Sequence, residues 1–158
     1  MGDQEKVESK AGSQNVAELF AFFNEIGIIN QLSSSLFQKR LADGVTVAQF
    51  SVLNHLSRVK DGQTPLVLAS AFQVPKTSMT HTLAGLEKRG LIAMKPNQND
   101  GRSKCVWLTQ AGSDFRTESI TALSEDIKRL APQLDVDDLM TSLPILAKVR
   151  SVLDKDRD

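Results

Sequence analysis

From Val16 to Leu41 the apolar residues Leu19, Phe22, Phe23, Ile26, Ile29, Leu32 and Leu36 recur at three- and four-residue steps, the spacing of one face of an α-helix. Phe20, Ile28 and Phe37 widen that stripe. A helix apolar around much of its circumference must be covered on more than one side, which a second copy of the chain supplies most simply. Residues 1–14 lack any apolar period and are expected to form a mobile tail. A second helix should start at Thr46, whose side chain can cap it with Gln49 three residues on, while Val45 and Phe50 stand at the positions of a hydrophobic staple. It should carry Phe50, Leu53, Leu56 and Val59 inward and stop at Asp61-Gly62.

Thr64-Pro65 begins a short third helix running to about Phe72, and Pro75 begins a fourth that Gly90 closes after Arg89. Two apolar-rich runs follow, Leu91–Pro96 and Arg102–Leu108, joined by the turn formers Asn97 to Gly101, a pattern that predicts a β-hairpin. Thr109 should cap a long helix to about Pro132. Asp135 should cap a last one, which Pro144 is expected to kink. The chain is therefore mainly α with one small hairpin, an α+β class.

At 158 residues, 41% hydrophobic and 24% charged, the chain fits a single soluble domain with appendages. No apolar run approaches the roughly 20 residues of a membrane span, and the polar N-terminus resembles neither a signal nor a transit peptide. A cytoplasmic location with no membrane partner is expected. The net charge is zero, yet the segment 73–110 holds Lys76, Lys88, Arg89, Lys95, Arg102 and Lys104 against Glu87 and Asp100, a local +4. Charge gathered on one segment of a neutral chain marks a basic face, the electrostatic requirement for binding phosphate.

Two short helices joined by a tight turn, with a hairpin directly after the second, form the layout of a winged helix-turn-helix. At 100° per residue the fourth helix turns Met79, Leu83 and Leu86 to one side and Thr77, His81, Ala84 and Lys88 to the other, flanked by Ser78, Thr80 and Gly85. Small and hydrogen-bonding groups allow a helix backbone to approach base edges in a major groove. Lys76 and the free amides of the first turn suit phosphates. The hairpin tip, Asp100-Gly101-Arg102-Ser103-Lys104, is short enough to enter a minor groove with a guanidinium foremost.

Three motifs in this order, Leu86-Glu87-Lys88-Arg89-Gly90-Leu91, Asp100-Gly101-Arg102 and Leu108-Thr109-Gln110-Ala111-Gly112, make the run from Val47 to Gly112 resemble the MarR (multiple antibiotic resistance regulator) family. The resemblance implies a winged helix-turn-helix lobe over 45–112 and dimerisation helices over 15–41 and 113–154, in one regulator domain of 15–158. It implies a homodimer on a pseudo-palindromic double-stranded DNA operator, regulating transcription as a repressor that answers to a small ligand. Arg102 would then reach into the minor groove with its side chain held by Asp100, and Thr77, Ser78, Thr80 and His81 would face the major groove. Family members often carry Arg where this chain has His81.

Family members bind effectors in a crevice beside the dimerisation helices, for which Phe23, Ile26, Phe50, His55 and Leu66 are the candidate lining here. Cys105 is the only cysteine and is read as a structural thiol on a wing strand. Trp107 should lie on the strand face opposite Val106 and Leu108, covering the wing rather than lining a pocket. His55 and His81 have no partners at metal-ligand spacing, so neither metal nor cofactor is expected. Phosphate-loop and nucleophile-elbow motifs are missing, which argues against an enzyme. The alternative is a winged-helix adaptor that binds protein, and it would want apolar residues where the fourth helix has Thr, Ser and Lys.

Overall fold

A computed structural model describes the backbone of residues 2–98 and 100–156 and the side chains of 15–98 and 100–156. In chain order the elements are α1 (Gly2–Gln38), α2 (Val47–Arg58), α3 (Pro65–Ala71), α4 (Lys76–Lys88), β1 (Ile92–Asn97), β2 (Asp100–Leu108), α5 (Gln110–Leu130), a 3-10 turn (Ala131–Gln133) and α6 (Val136–Lys155). Asn99, within the turn expected from Asn97 to Gly101, lies outside the described residues, as do Met1 and the last two. No helix among the described residues is long and apolar enough to cross a membrane.

The helix starts follow the local chemistry of the chain. Thr46 accepts from the Gln49 amide at 3.2 Å while Gln49 Oε1 accepts from the Thr46 amide at 3.0 Å, so the reciprocal cap of α2 is complete. Thr64 caps α3 through the Val67 amide, with Pro65 at the first helical position. Asp135 accepts from the amides of Asp137 and Asp138 at the head of α6, which runs through Pro144.

Two expectations need correction. Residues 2–14 belong to α1 rather than to a mobile tail. Glu5, Lys6, Glu8, Lys10 and Ala11 are good helix formers, and a helix nucleated downstream extends through them without an apolar stripe. Val59 is 68% exposed, because α2 ends at Arg58 and Val59 is only its C-cap; Val52 takes the core position instead. By its contacts the chain divides into two compact units, 1–116 and 117–158. The division falls inside α5.

The core of the first unit joins Leu53 and Leu56 of α2, Leu68 of α3, Met79, Leu83 and Leu86 of α4, and Ile92 and Val106 of the hairpin. All four elements thus hold one another in place, and burying large aliphatic side chains stabilises the lobe by about 1.5–3 kcal/mol each. Strands β1 and β2 pair antiparallel from Ile92 with Leu108 to Pro96 with Lys104, with a register shift at Pro96 and Asn97. A short bridge between Gln63 and Val106 adds a third line of backbone pairing. The Asp61 carboxylate fastens the same junction, accepting from the amides of Gly62 and Leu108 at 3.0 Å each.

The second unit holds no buried apolar side chain among its described residues. Its buried groups are Ser119 and Asp126, and the Asp126 carboxylate accepts from the Arg129 guanidinium at 3.2 Å.

Candidate nucleic-acid interface

Helices α3 and α4 are separated by Phe72 to Pro75, and Gln73 occupies the left-handed region there with φ 51°. Helix α4 is anchored through Met79, Leu83 and Leu86. Its other side presents Thr77, Ser78, Thr80, His81, Ala84 and Lys88, all exposed, as is Lys76 at its start. The N-cap is Pro75, and no side chain caps the helix. The first-turn amides therefore keep the positive end of the helix dipole open to an anion. Thr80 and Thr82 donate their hydroxyls back to the carbonyls of Lys76 and Ser78, at 2.8 and 3.0 Å, which fixes their rotamers and leaves their oxygens as acceptors. Gly85 is not part of the outward face as expected: it is half-buried against Gln49 of α2.

At the hairpin tip Asp100, Arg102 and Lys104 are all exposed. The Asp100 carboxylate accepts from the backbone amide of Arg102 at 3.0 Å, and Ser103 Oγ donates to the Asp100 carbonyl and accepts from the Asn97 amide group. Asp100 thus shapes the turn backbone rather than the guanidinium, the correction being that a side chain two residues away reaches a main-chain amide more readily than the end of a long arginine. The described residues give the Arg102 guanidinium no hydrogen-bond partner. An exposed helix face of small polar groups and an exposed arginine on a tied-down tip are what a groove-reading lobe requires.

The MarR family model matches residues 43–103, which run from the turn before α2 to the hairpin tip. The structure also superposes on wild-type MarR of E. coli in its apo form with a TM-score of 0.69 at 28% identity, covering 80% of this chain and 94% of that one. The lobe over residues 43–103 is of the MarR family.

A cysteine-to-serine mutant of the same E. coli protein, solved in complex with operator DNA, superposes with a TM-score of 0.69 at 28% identity over 84% of this chain and 95% of that one. Among curated proteins, the transcriptional activatory protein BadR of Rhodopseudomonas palustris is 31% identical over 93 residues, 58% of this chain. The matched stretch spans 53% of BadR, about half its length.

Two of the MarR-like motifs prove to be scaffold. In Leu86-Glu87-Lys88-Arg89-Gly90-Leu91, the Leu91 amide bonds the Leu86 carbonyl at 3.1 Å and the Gly90 amide bonds the Glu87 carbonyl at 2.9 Å. Gly90 takes the left-handed conformation, φ 69°, that such a helix stop requires. Arg89 turns away from the exposed face toward the segment before α2, and sequence reasoning had assigned it no such role. In Leu108-Thr109-Gln110-Ala111-Gly112, Thr109 caps α5 by accepting from the Gly112 amide at 3.0 Å and donates to the Gly90 carbonyl at 2.7 Å. A Cβ at Gly112 would collide with the Leu91 carbonyl.

The five residues expected to line an effector crevice come from α1, α2 and α3. Phe23 and Ile26 lie on α1, Phe23 beside an open groove with Phe20, Gly27 and Ile28. Phe50 is buried edge-on against Phe37, ring centroids 4.4 Å apart. His55 Nε2 lies 2.8 Å from Gln63 Oε1, with its ring 5.3 Å from that of Phe72. Leu66 is 63% exposed, since Leu68 and Ala69 take the inward positions of α3. Trp107 does face away from Val106, and it both covers Gly62 and borders a cavity of 380 Å³ with Lys95, Asn97 and buried Cys105. Lys95 Nζ stands 5.6 Å from the indole. Among the described residues no group of three or more His, Cys, Asp or Glu is placed to hold a metal ion.

Proposed function

We propose that the chain is a homodimeric, sequence-specific regulator that binds a pseudo-palindromic double-stranded operator in the cytoplasm and represses transcription by occupying it. The observation that carries this reading is the outward face of α4 beside the wing tip. Thr77, Ser78, Thr80 and His81 stand exposed on a helix whose start is uncapped, and Arg102 and Lys104 stand exposed on a short hairpin. In this reading Thr77, Ser78, Thr80 and His81 meet base edges in the major groove, Lys76, Lys88 and Lys104 neutralise phosphates, and Arg102 enters the minor groove on a tip shaped by Asp100. The operator complex of E. coli MarR supports the choice of partner. The apolar stripe of α1 supports the homodimer: Leu19, Phe20, Ile29 and Leu32 are more than half exposed in a single copy. A small-molecule effector would act by changing how the two lobes are spaced.

Selecting bound fragments from the source genome, then footprinting them, tests this. The expected footprint is a pseudo-palindrome with half-site centres about 10 base pairs apart, one helical turn. A promoter reporter gives the sign, repression being expected; BadR is named an activator, so activation would reverse the sign alone. Failure to enrich any fragment over random DNA would remove the regulator and favour the protein-binding adaptor.

A further inference from the structure

Arg89 lies in the most MarR-like motif of the chain, yet it belongs to no part of the proposed DNA face. Its guanidinium spans two elements 45 residues apart in sequence. Nη1 donates to the Gly85 carbonyl of its own helix at 3.0 Å, while Nη2 donates to the carbonyls of Asp43 and Gly44, at 3.3 and 3.4 Å, in the turn between α1 and α2. Asp43 and Gly44 both hold positive φ, 56° and 67°. Asp-Gly is a favoured pair for two successive residues in that region, and here the result is a pair of carbonyls aimed at one arginine.

The opposite edge of the same turn is fixed by Gln38, the last residue of α1. Its side-chain amide donates to the Val45 carbonyl at 2.9 Å, and its oxygen accepts from the Val47 amide at 3.0 Å. Gln49, which completes the cap of α2, packs against Gly85, where a Cβ would strike its amide. A continuous set of hydrogen bonds and close packing therefore runs from the end of α1, through the turn, to the last turns of α4.

We propose that Arg89 is a positioning residue: it locks α4 to the turn that follows α1, so that the separation of the two reading helices in a dimer is set by this strut. The inference rests on the homodimeric DNA-reading function above. A guanidinium is needed because its planar fork reaches carbonyls on both elements at once, whereas an ammonium keeps the charge and loses the fork. A loosened strut lets α4 swing relative to α1, which weakens the preference for one half-site spacing without removing any group that touches DNA.

The test uses the full-length protein on duplexes carrying the selected operator, the same operator with one or two base pairs inserted between its half-sites, and random sequence. Wild type should bind the native spacing best. R89K should lower that preference about fivefold to tenfold, the net worth of roughly one ordinary hydrogen bond, while its affinity for random DNA and its salt dependence stay at wild-type values. Q38A, which holds the other edge of the turn and carries no charge, should act in the same direction. If R89K keeps the wild-type spacing preference, Arg89 is not the strut. The same follows if R89K and Q38A weaken binding to every duplex in parallel with a fall in melting temperature, the mark of a purely structural role. A wild type that does not tell operator from random DNA would instead remove the DNA-reading function, and this inference with it.

Discussion

Between Val45 and Val106 the chain builds a closed core, in which Val45, Val52, Leu53, Leu68, Leu86 and Val106 have no exposed area while Val59 and Leu66 stay at the surface. In α1 and α6 residues of the same kind stand in water, Leu32 at 67% and Val152 at 60%. The lobe that carries the candidate interface closes its own core within one chain. The long helices keep an apolar face that one copy leaves open, and exposed patches of that kind mark interaction surfaces in soluble proteins. The contrast separates what a single chain buries from what it leaves exposed.

The largest expected effect lies in the closed region. Leu86→Ala, at a fully buried site shared by α4 and its stop, should cost about 2–5 kcal/mol in denaturant unfolding; a loss below 1 kcal/mol would show that the lobe core is looser than its burial implies. Gly112→Ala comes next, at about 1–3 kcal/mol, because the new methyl group strikes the Leu91 backbone carbonyl as well as the Leu108 side chain. Thr109→Ala removes the cap of α5 and should cost about 1 kcal/mol by thermal melting, with Thr109→Ser recovering most of it. Leu32→Glu reverses the pattern. The stability of the lobe should change by no more than about 0.5 kcal/mol, yet sedimentation at micromolar concentration should show loss of self-association. A wild type that sediments as a monomer, or a Leu32→Glu variant that unfolds the lobe, would erase the contrast.

Where function and fold are local, the sequence shows them. The caps at Thr46, Thr64 and Asp135, the helix stop at Gly90 and the hairpin after it all depend on residues a few positions apart, and each was legible from spacing. The outward face of α4 was legible too, since helical periodicity alone turns Thr77 and His81 away from Met79 and Leu83. Contacts made across the fold left no such trace. Arg89 read as one more surface cation until its fork met carbonyls 45 residues away, and Asp61 read as a turn former though its carboxylate also holds the Leu108 amide. The candidate crevice residues show the same limit. Phe50 and His55 carry the residue types of a pocket, but burial against Phe37 and a hydrogen bond to Gln63 engage them in the lobe itself. Residues 2–14 misled in another way, because helix propensity extends an element past the point where its amphipathic signal ends.

The central claim, that α4 and the hairpin tip of this chain read DNA, is tested most directly by a salt series on wild type, Arg102→Ala and His81→Ala, each with the selected operator and with random duplex. Arg102→Ala should weaken both DNAs and reduce the slope of log K against log salt by up to roughly 2 for a dimer, about 0.9 for each charge lost. His81→Ala should cost about 1–3 kcal/mol on the operator, with little change on random DNA or in the slope. If Arg102→Ala binds both duplexes with wild-type affinity and slope, the hairpin is not a DNA element and the account is wrong.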